Sequence, residues 1–417
     1  MIAITTLPPP SAIPVIPTDL AELLRVAMEN SPSLKQAAAD VAAARGAAIQ
    51  AGLNPNPTVG YQGDQIGSDH TAGQQGAFVS QTIVTSGKRA LAQAAALAEV
   101  TRTEAAQEQA RAELAAQVQS KYYALMTTSE AVRIAEEMAR TAEALAERLQ
   151  KLLDSGQAVA PHEVAQARAL AAIARGELVQ AANRRTAAVK QLAAVTGAPD
   201  IAAPVAASRL LPAYSFERVQ QHVLANHSEL RAAAALVERA RFQLELARVT
   251  PHPNVETHTS VQHDYQTHTP QLSVQIGVAL PVFDRNQGNI AQAEAHLVRA
   301  AHEAARVRLD LTQRLTDAYE RYSTNRRLLD QYRTTILPEQ LKAFDGLRKR
   351  YEQEPGKVSF SEVILAQQTL AQTYAGYLNV LSAAWQAVAE LSRLMQTEPA
   401  DVPPAGDDSW PDPAPKP

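Results

Sequence analysis

Between residues 272 and 282 every second position is apolar: Leu272, Val274, Ile276, Val278, Leu280 and Val282, with Ser273, Gln275, Gly277, Ala279 and Pro281 between them. A period of two puts the first set on one face of a β-strand and the small or polar set on the other. A partner run covers residues 255 to about 265. An earlier pair, 58–66 and 77–84, is separated by a Gly/Ser/Asp/His loop. The pattern predicts two hairpins and four strands.

Elsewhere the spacing is three and four. Leu114, Val118, Leu125, Val132, Ala135, Ala139, Ala142, Ala146, Leu149 and Leu153 form one helical seam, with Lys121 and Thr128 as its exceptions. No Pro interrupts residues 87–155, so at 1.5 Å per residue this helix would run roughly 100 Å. A turn at Ser155-Gly156 leads into a returning seam: Val164, Ala167, Ala171, Ala174, Leu178, Ala181, Ala188, Leu192 and Val195. The average spacing of about 3.5 predicts left-handed supercoiling. Shorter helices are predicted over 20–29, 33–50, 216–225 and 229–248. Asn30 and Pro32 break the first pair apart, and Pro55 ends it.

These elements occur twice. Asn30-Ser31-Pro32-Ser33-Leu34 aligns with Asn226-His227-Ser228-Glu229-Leu230, and Pro55-Asn56-Pro57 with Pro251-His252-Pro253, both at an offset of 196. The returning seam recurs at 199 as Val363, Ala366, Leu370, Thr373, Tyr377, Val380, Ala387, Leu391 and Leu394. The period is far longer than that of solenoid repeats, which predicts that each copy is a whole subdomain. The chain then divides into a Pro-rich disordered N-terminus (1–17), a first copy (18–200), a second copy (201–398) and a disordered tail (399–417). The first copy has a β-hairpin at about 57–86 and long helices over 87–155 and 161–196. The second has a hairpin at about 253–283 and long helices over 286–354 and 359–396, the former kinked or restarted at Pro338.

Composition sharpens this picture. Hydrophobic residues make up 46 % of the 417 positions, but aromatics only 5 %, and much of the apolar content is Ala. Ala suits helices whose backbones run close together, so the fold class is mainly α with a small β part. With no Cys there are no disulfides, thiolate metal sites or lipid-anchoring thiol. A net charge of −4 gives no bulk attraction to nucleic acid. No stretch approaches the ~20 consecutive apolar residues of a spanning helix. Residues 1–17 lack the charged and apolar regions of a secretory signal, which leaves two readings: a cytosolic protein, or a sequence beginning near a mature or misplaced start.

Four strands cannot close a barrel, since membrane barrels have at least eight. Left open, they expose unpaired edges. Symmetric oligomerisation solves both problems, and a trimer supplies twelve strands. The alternation then implies a lipid-facing apolar side and a lumen lined by small and polar residues, a channel.

The motifs fit that object. Residues 24–34 with Asn30-Ser31-Pro32, Pro55-Asn56-Pro57, the run 81–89 (Gln-Thr-Ile-Val-Thr-Ser-Gly-Lys-Arg), the run 281–290 (Pro-Val-Phe-Asp-Arg-Asn-Gln-Gly-Asn-Ile), Ile336-Leu337-Pro338, and Tyr351 with Gly356-Lys357-Val358-Ser359 ahead of Ser361-Glu362-Val363-Ile364 together resemble the TolC-type outer-membrane efflux proteins. The resemblance covers roughly residues 18–395. Residues 284–290 are most similar to the branch serving cobalt-zinc-cadmium or copper-silver resistance pumps. It implies a homotrimer whose twelve-stranded β-barrel in outer-membrane lipid joins an α-helical barrel crossing the periplasm of a Gram-negative cell. It also implies a periplasmic adaptor protein, an inner-membrane RND-type pump, passive export without a cofactor, and heavy-metal cations among the cargoes. A duct for type I secretion is an alternative within this reading. The missing N-terminal Cys predicts no lipidation.

In this family the turns between long helices contact the adaptor and close the pore. By motif position, that assigns Glu163 and Glu362 to the gate, with Asp154, Tyr351 and Lys357 as neighbours. Threefold copies of Glu would form a cation-attracting ring. The plainer reading is that a Glu at a helix start only complements the dipole.

Other constellations are weaker. His252, His258, His263 and His268 cluster in the second hairpin, where His258 and His268 would hold a metal only if they faced one another. Exposed loop and strand residues are the ordinary reading, and His258 has the opposite parity to His263. His162-Glu163 lacks the second His of a zincin, Gln166 standing in its place, and Ser86-Gly87-Lys88 lacks the earlier Gly of a phosphate loop. Nothing supports an enzyme. A soluble coiled-coil scaffold accounts for the seams but not for the paired hairpins.

Overall fold

A computed structural model describes residues 19–70, 72–156, 159–198, 211–353 and 357–397. The Pro-rich ends expected to be disordered lie outside the described residues. In chain order the elements are α1 (Leu20–Asn30), α2 (Pro32–Ala51), β1 (Thr58–Asp64), β2 (Gln74–Ile83), α3 (Lys88–Asp154), α4 (Pro161–Thr196), α5 (Phe216–Asn226), α6 (Ser228–Val249), β3 (Val255–Asp264), β4 (Thr269–Val278), α7 (Gln287–Gln331), a π turn (Tyr332–Ile336), α8 (Leu337–Gln353) and α9 (Phe360–Met395). The order of elements repeats once. Among the described residues no helix is long and apolar enough to cross a membrane.

Packing does not follow the two copies. One compact unit is Ser33–Ala110 with Asn226–Leu311. The other takes the described residues up to Pro32, Arg111–Ala225 and those from Thr312 onward. The expectation that each copy is a whole subdomain is corrected accordingly. The reason is the sheet, whose order is β1-β2-β3-β4 and whose central ladder joins β2 of one copy to β3 of the other.

In the unit that holds the sheet, α2 and α6 accompany the first part of α3. Small residues dominate what they bury: Ala48, Ala95, Ala98, Ala105, Ala233, Ala235 and Ala240. Ion pairs cross between helices, Arg45 to Glu104 at 2.7 Å and Arg239 to Glu99 at 2.9 Å. These pairs are partly solvated and add little stability. The two copies differ here. Residues 88–110 of α3 bury four side chains, whereas residues 287–310 of α7 bury none, and Val298 and Leu309 lie exposed.

In the other unit, α1 buries Leu20, Leu23, Leu24 and Ala27, the three-four stripe of an amphipathic helix. Tyr123 of α3 stacks on Trp385 of α9 with ring centroids 4.5 Å apart. The segment before α5 is fixed by tyrosines of α7. The Tyr322 hydroxyl donates to the Pro212 carbonyl and lies 3.3 Å from the Tyr214 amide, while the Tyr319 hydroxyl donates to the Tyr214 carbonyl at 3.1 Å.

Pro338 acts one turn upstream of itself. It cannot donate a backbone hydrogen bond, and its ring crowds the carbonyl four residues earlier. The helix widens to a π turn over Tyr332–Ile336 and then resumes as α8.

Glycine matters where strands approach closely. A Cβ on Gly76 would fall 1.9 Å from the Val261 carbonyl oxygen and 2.6 Å from the Gln262 Cα, both backbone atoms, whereas one on Gly277 would meet nothing within 4 Å. Gly76→Ala is expected to destabilise the β2–β3 ladder by about 1–3 kcal/mol or more, and Gly277→Ala to change little. Thermal unfolding of the β signal in detergent, followed by circular dichroism, checks the contrast.

Candidate functional site

The sheet is inverted relative to that of a water-soluble protein. The register places Gln62, Gly76, Gln262 and Gln271 in one row across the strands, and Gly60, Phe78, Ser260 and Ser273 in the next. This polar face is the covered one on β3, where Ser260 is 2 % and Asp264 6 % exposed. The opposite face carries Val59, Tyr61, Val79, Val261, Leu272, Val274 and Ile276. It stands bare, with Val59 at 70 % and Ile276 at 69 % exposure. β1 and β4 each have one neighbour, so both edges are unpaired among the described residues.

A hydrogen-bonded lattice organises the polar face. Asp64 Oδ2 accepts from Gln62 Nε2 at 2.7 Å and from Gln262 Nε2 at 2.8 Å. Asp264 Oδ2 accepts from Gln271 Nε2 at 2.8 Å, and its Oδ1 from the Gln266 amide at 2.8 Å. His258 bonds Gln62 Oε1 through Nε2 at 2.9 Å and stacks on Phe78. These carboxylates were missed in the sequence. The available signal was positional, since Asp64 and Asp264 each close the first strand of a hairpin at an offset close to that of the repeat.

The helix-turn regions carry the predicted gate residues. Glu163 sits at the third position of α4, where its Oε2 accepts from the Ala160 amide at 2.9 Å. Ala160 offers no side-chain acceptor in return, so this is half of a capping box. The other box is complete: Glu362 Oε2 accepts from the Ser359 amide at 3.0 Å, and Ser359 Oγ from the Glu362 amide at 3.3 Å. Each carboxylate is thus turned back onto its own helix start, and each keeps its second oxygen outside that bond.

Beneath them lies an apolar cluster of Leu149, Val164, Phe344, Val358, Phe360 and Val363. Tyr351 packs on this cluster, its ring 5.8 Å from that of Phe360. Burial pushes its phenol up to about 12, and the Glu163 charge adds to the shift. The structure therefore brings Tyr351 and Glu163 together. Asp154 is placed differently, accepting from Gln150 Nε2 at 2.6 Å in a charged groove with Glu147, Lys151, Arg168 and Arg175. Lys357 is exposed, two residues before the Ser359 cap. His258 is engaged with Gln62 while His268 lies in the β3–β4 turn beside His263, so the two do not face each other. Among the described residues no three His, Asp or Glu side chains converge as a metal site.

Comparison with known proteins decides the family. The family described as "Outer membrane efflux protein" matches residues 23–198 and 219–396. The chain belongs to that family. This efflux-family chain is 26 % identical over 401 residues to the cobalt-zinc-cadmium resistance protein CzcC of Cupriavidus metallidurans, covering 92 % of this chain and 93 % of that one. Its fold is similar to that of CusC, with a TM-score of 0.75 at 18 % identity over 90 % of this chain and 91 % of the other. It is also similar to VceC of Vibrio cholerae, with a TM-score of 0.73 at 19 % identity over 90 % and 96 %.

The raised Tyr351 pKa has a signed consequence. The unfolded chain ionises this phenol near pH 10, before the folded one does. The contribution of neutral Tyr351 is fully present below pH 10 and is lost as the pH rises toward about 12. Tyr351→Phe is expected to flatten the decline of the melting temperature over that window, with little change at pH 7. Melting curves at stepped alkaline pH check it.

Proposed function

We propose that this protein is the outer-membrane exit duct of a tripartite efflux system, a homotrimer whose twelve strands form one barrel. The reading is carried by the sheet, with a bare apolar face, a hydrogen-bonded polar face and two unpaired edges. Lipid covers the first, the lumen hydrates the second, and neighbouring copies complete the third. Residues 287–310 of α7, which bury nothing within one chain, are the helical counterpart of the open edges. The duct performs no chemistry and is driven by an inner-membrane RND-type pump through a periplasmic adaptor. Heavy-metal cations are the proposed cargo, a reading supported by the likeness to a cobalt-zinc-cadmium resistance protein.

The helix turns are the proposed adaptor contact and gate. Asp154, Glu163, Tyr351, Lys357 and Glu362 surround the passage, and Glu163 and Glu362 supply its negative charge. Because both carboxylates also cap helices, Gln is a cleaner probe than Ala: it removes the charge and keeps an oxygen acceptor.

The protein is expected to require detergent and to insert into planar bilayers as a discrete conducting species. A detergent-free soluble protein without conductance overturns the duct. In a KCl gradient, the double variant Glu163→Gln, Glu362→Gln is expected to move the reversal potential toward zero as cation preference falls. An unchanged reversal potential removes both residues from the gate.

A further inference from the structure

The loop end of the β3–β4 hairpin carries two imidazoles that nothing in the duct uses. Past Val261 and Leu272, the last apolar pair of these strands, the bare face continues as His263 on β3, and His268 stands in the turn that follows. Their ring centroids are 6.5 Å apart. Both side chains are exposed, and among the described residues no hydrogen bond engages either ring. Four of the other eight histidines differ. His222, His227, His252 and His258 all have a ring nitrogen within bonding distance of a partner.

The turn between the pair is held in place. Asp264 Oδ1 accepts from the amides of Gln266 and Thr267 at 2.8 and 3.2 Å, and the Thr267 and Thr269 hydroxyls are 2.7 Å apart. His268 adopts a left-handed backbone with φ 52°, and the Tyr265 ring meets His263 edge-on at 4.8 Å. Both imidazoles thus start from restrained positions. Metal–nitrogen bonds of about 2.0–2.1 Å to two imidazoles place their centroids about 5–6 Å apart. The observed separation of 6.5 Å is close to that range.

We propose that His263 and His268 form a solvent-open site for a borderline divalent transition-metal cation such as Zn²⁺ or Cu²⁺. Imidazole selects such ions over Mg²⁺ or Ca²⁺, which prefer oxygen. Among the described residues no third His, Asp or Glu joins the pair, so water fills the other positions and the ion exchanges readily. Both ligands come from one hairpin of one chain. The site therefore stands independently of trimer assembly and of the proposed cargo.

Zinc titration of the untagged full chain in chelator-free detergent, followed by calorimetry, tests the site. One zinc per chain is expected, with a loss of about tenfold or more in affinity in either His263→Gln or His268→Asn, the latter chosen because Asn tolerates the left-handed backbone. His258→Gln is expected to bind as the native chain does. Cu²⁺ bound to the native chain should show electron paramagnetic resonance couplings to two nitrogens. Absence of binding, binding that survives either substitution, or an equal loss in His258→Gln overturns the site.

Discussion

A sheet whose apolar face is exposed and whose two edge strands are unpaired among the described residues sets the terms for the rest of this molecule. Each β4 residue from Leu272 to Ile276 with an aliphatic side chain would be an aggregation hazard in water, and each free amide on an edge would seek a partner. The chain offsets neither by itself. It instead builds a lattice of Gln and Asp on the polar face, where Asp64 gathers amide donors from its own strand and from β3, and Asp264 gathers one from β4. Such a lattice satisfies the polar side chains that β3 buries, and it ties register to the two carboxylates.

The helices meet the same requirement in another way. Ala-rich seams permit close approach but bury little area per residue, so stability concentrates where large side chains interleave. Tyr123 with Trp385, the tyrosines that hold residues 212–214, and the Leu149–Phe360 cluster are those places. At the helix turns, the charges proposed for the gate also hold helix starts together. A change of charge there therefore acts on local order at the helix starts.

Much of this was legible in the sequence because the governing signals are periodic. Period two located β4, which ends at Val278 although the alternation runs on through Leu280 and Val282, and spacing of three and four located α4 over the residues where it is found. Pro338 announced an interruption. What escaped had no periodic signature. The seam read from α3 names one stripe, yet Tyr122, Tyr123, Met126, Ile134 and Leu145 are buried as well, because α3 packs on more than one side. Asp64 and Asp264 look like ordinary turn residues until strand register aligns the glutamines around them. Glu163 and Glu362 stand at helix starts in the sequence, but only coordinates reveal that their oxygens reach back to Ala160 and Ser359. Division into compact units was also hidden, since nothing local says that β2 pairs with β3.

The outgoing arms of the two copies have equal length, but only the second contains a π turn. A 45-residue helix, a five-residue π turn and a 17-residue helix stand in copy two where a single 67-residue helix stands in copy one. A wider turn brings every later residue round at a different angle, so side chains beyond Pro338 are rotated relative to their counterparts after the same number of steps. Any ring assembled from this polypeptide therefore alternates two unlike staves. Two such arms per chain are related in order but not equivalent in the faces they present.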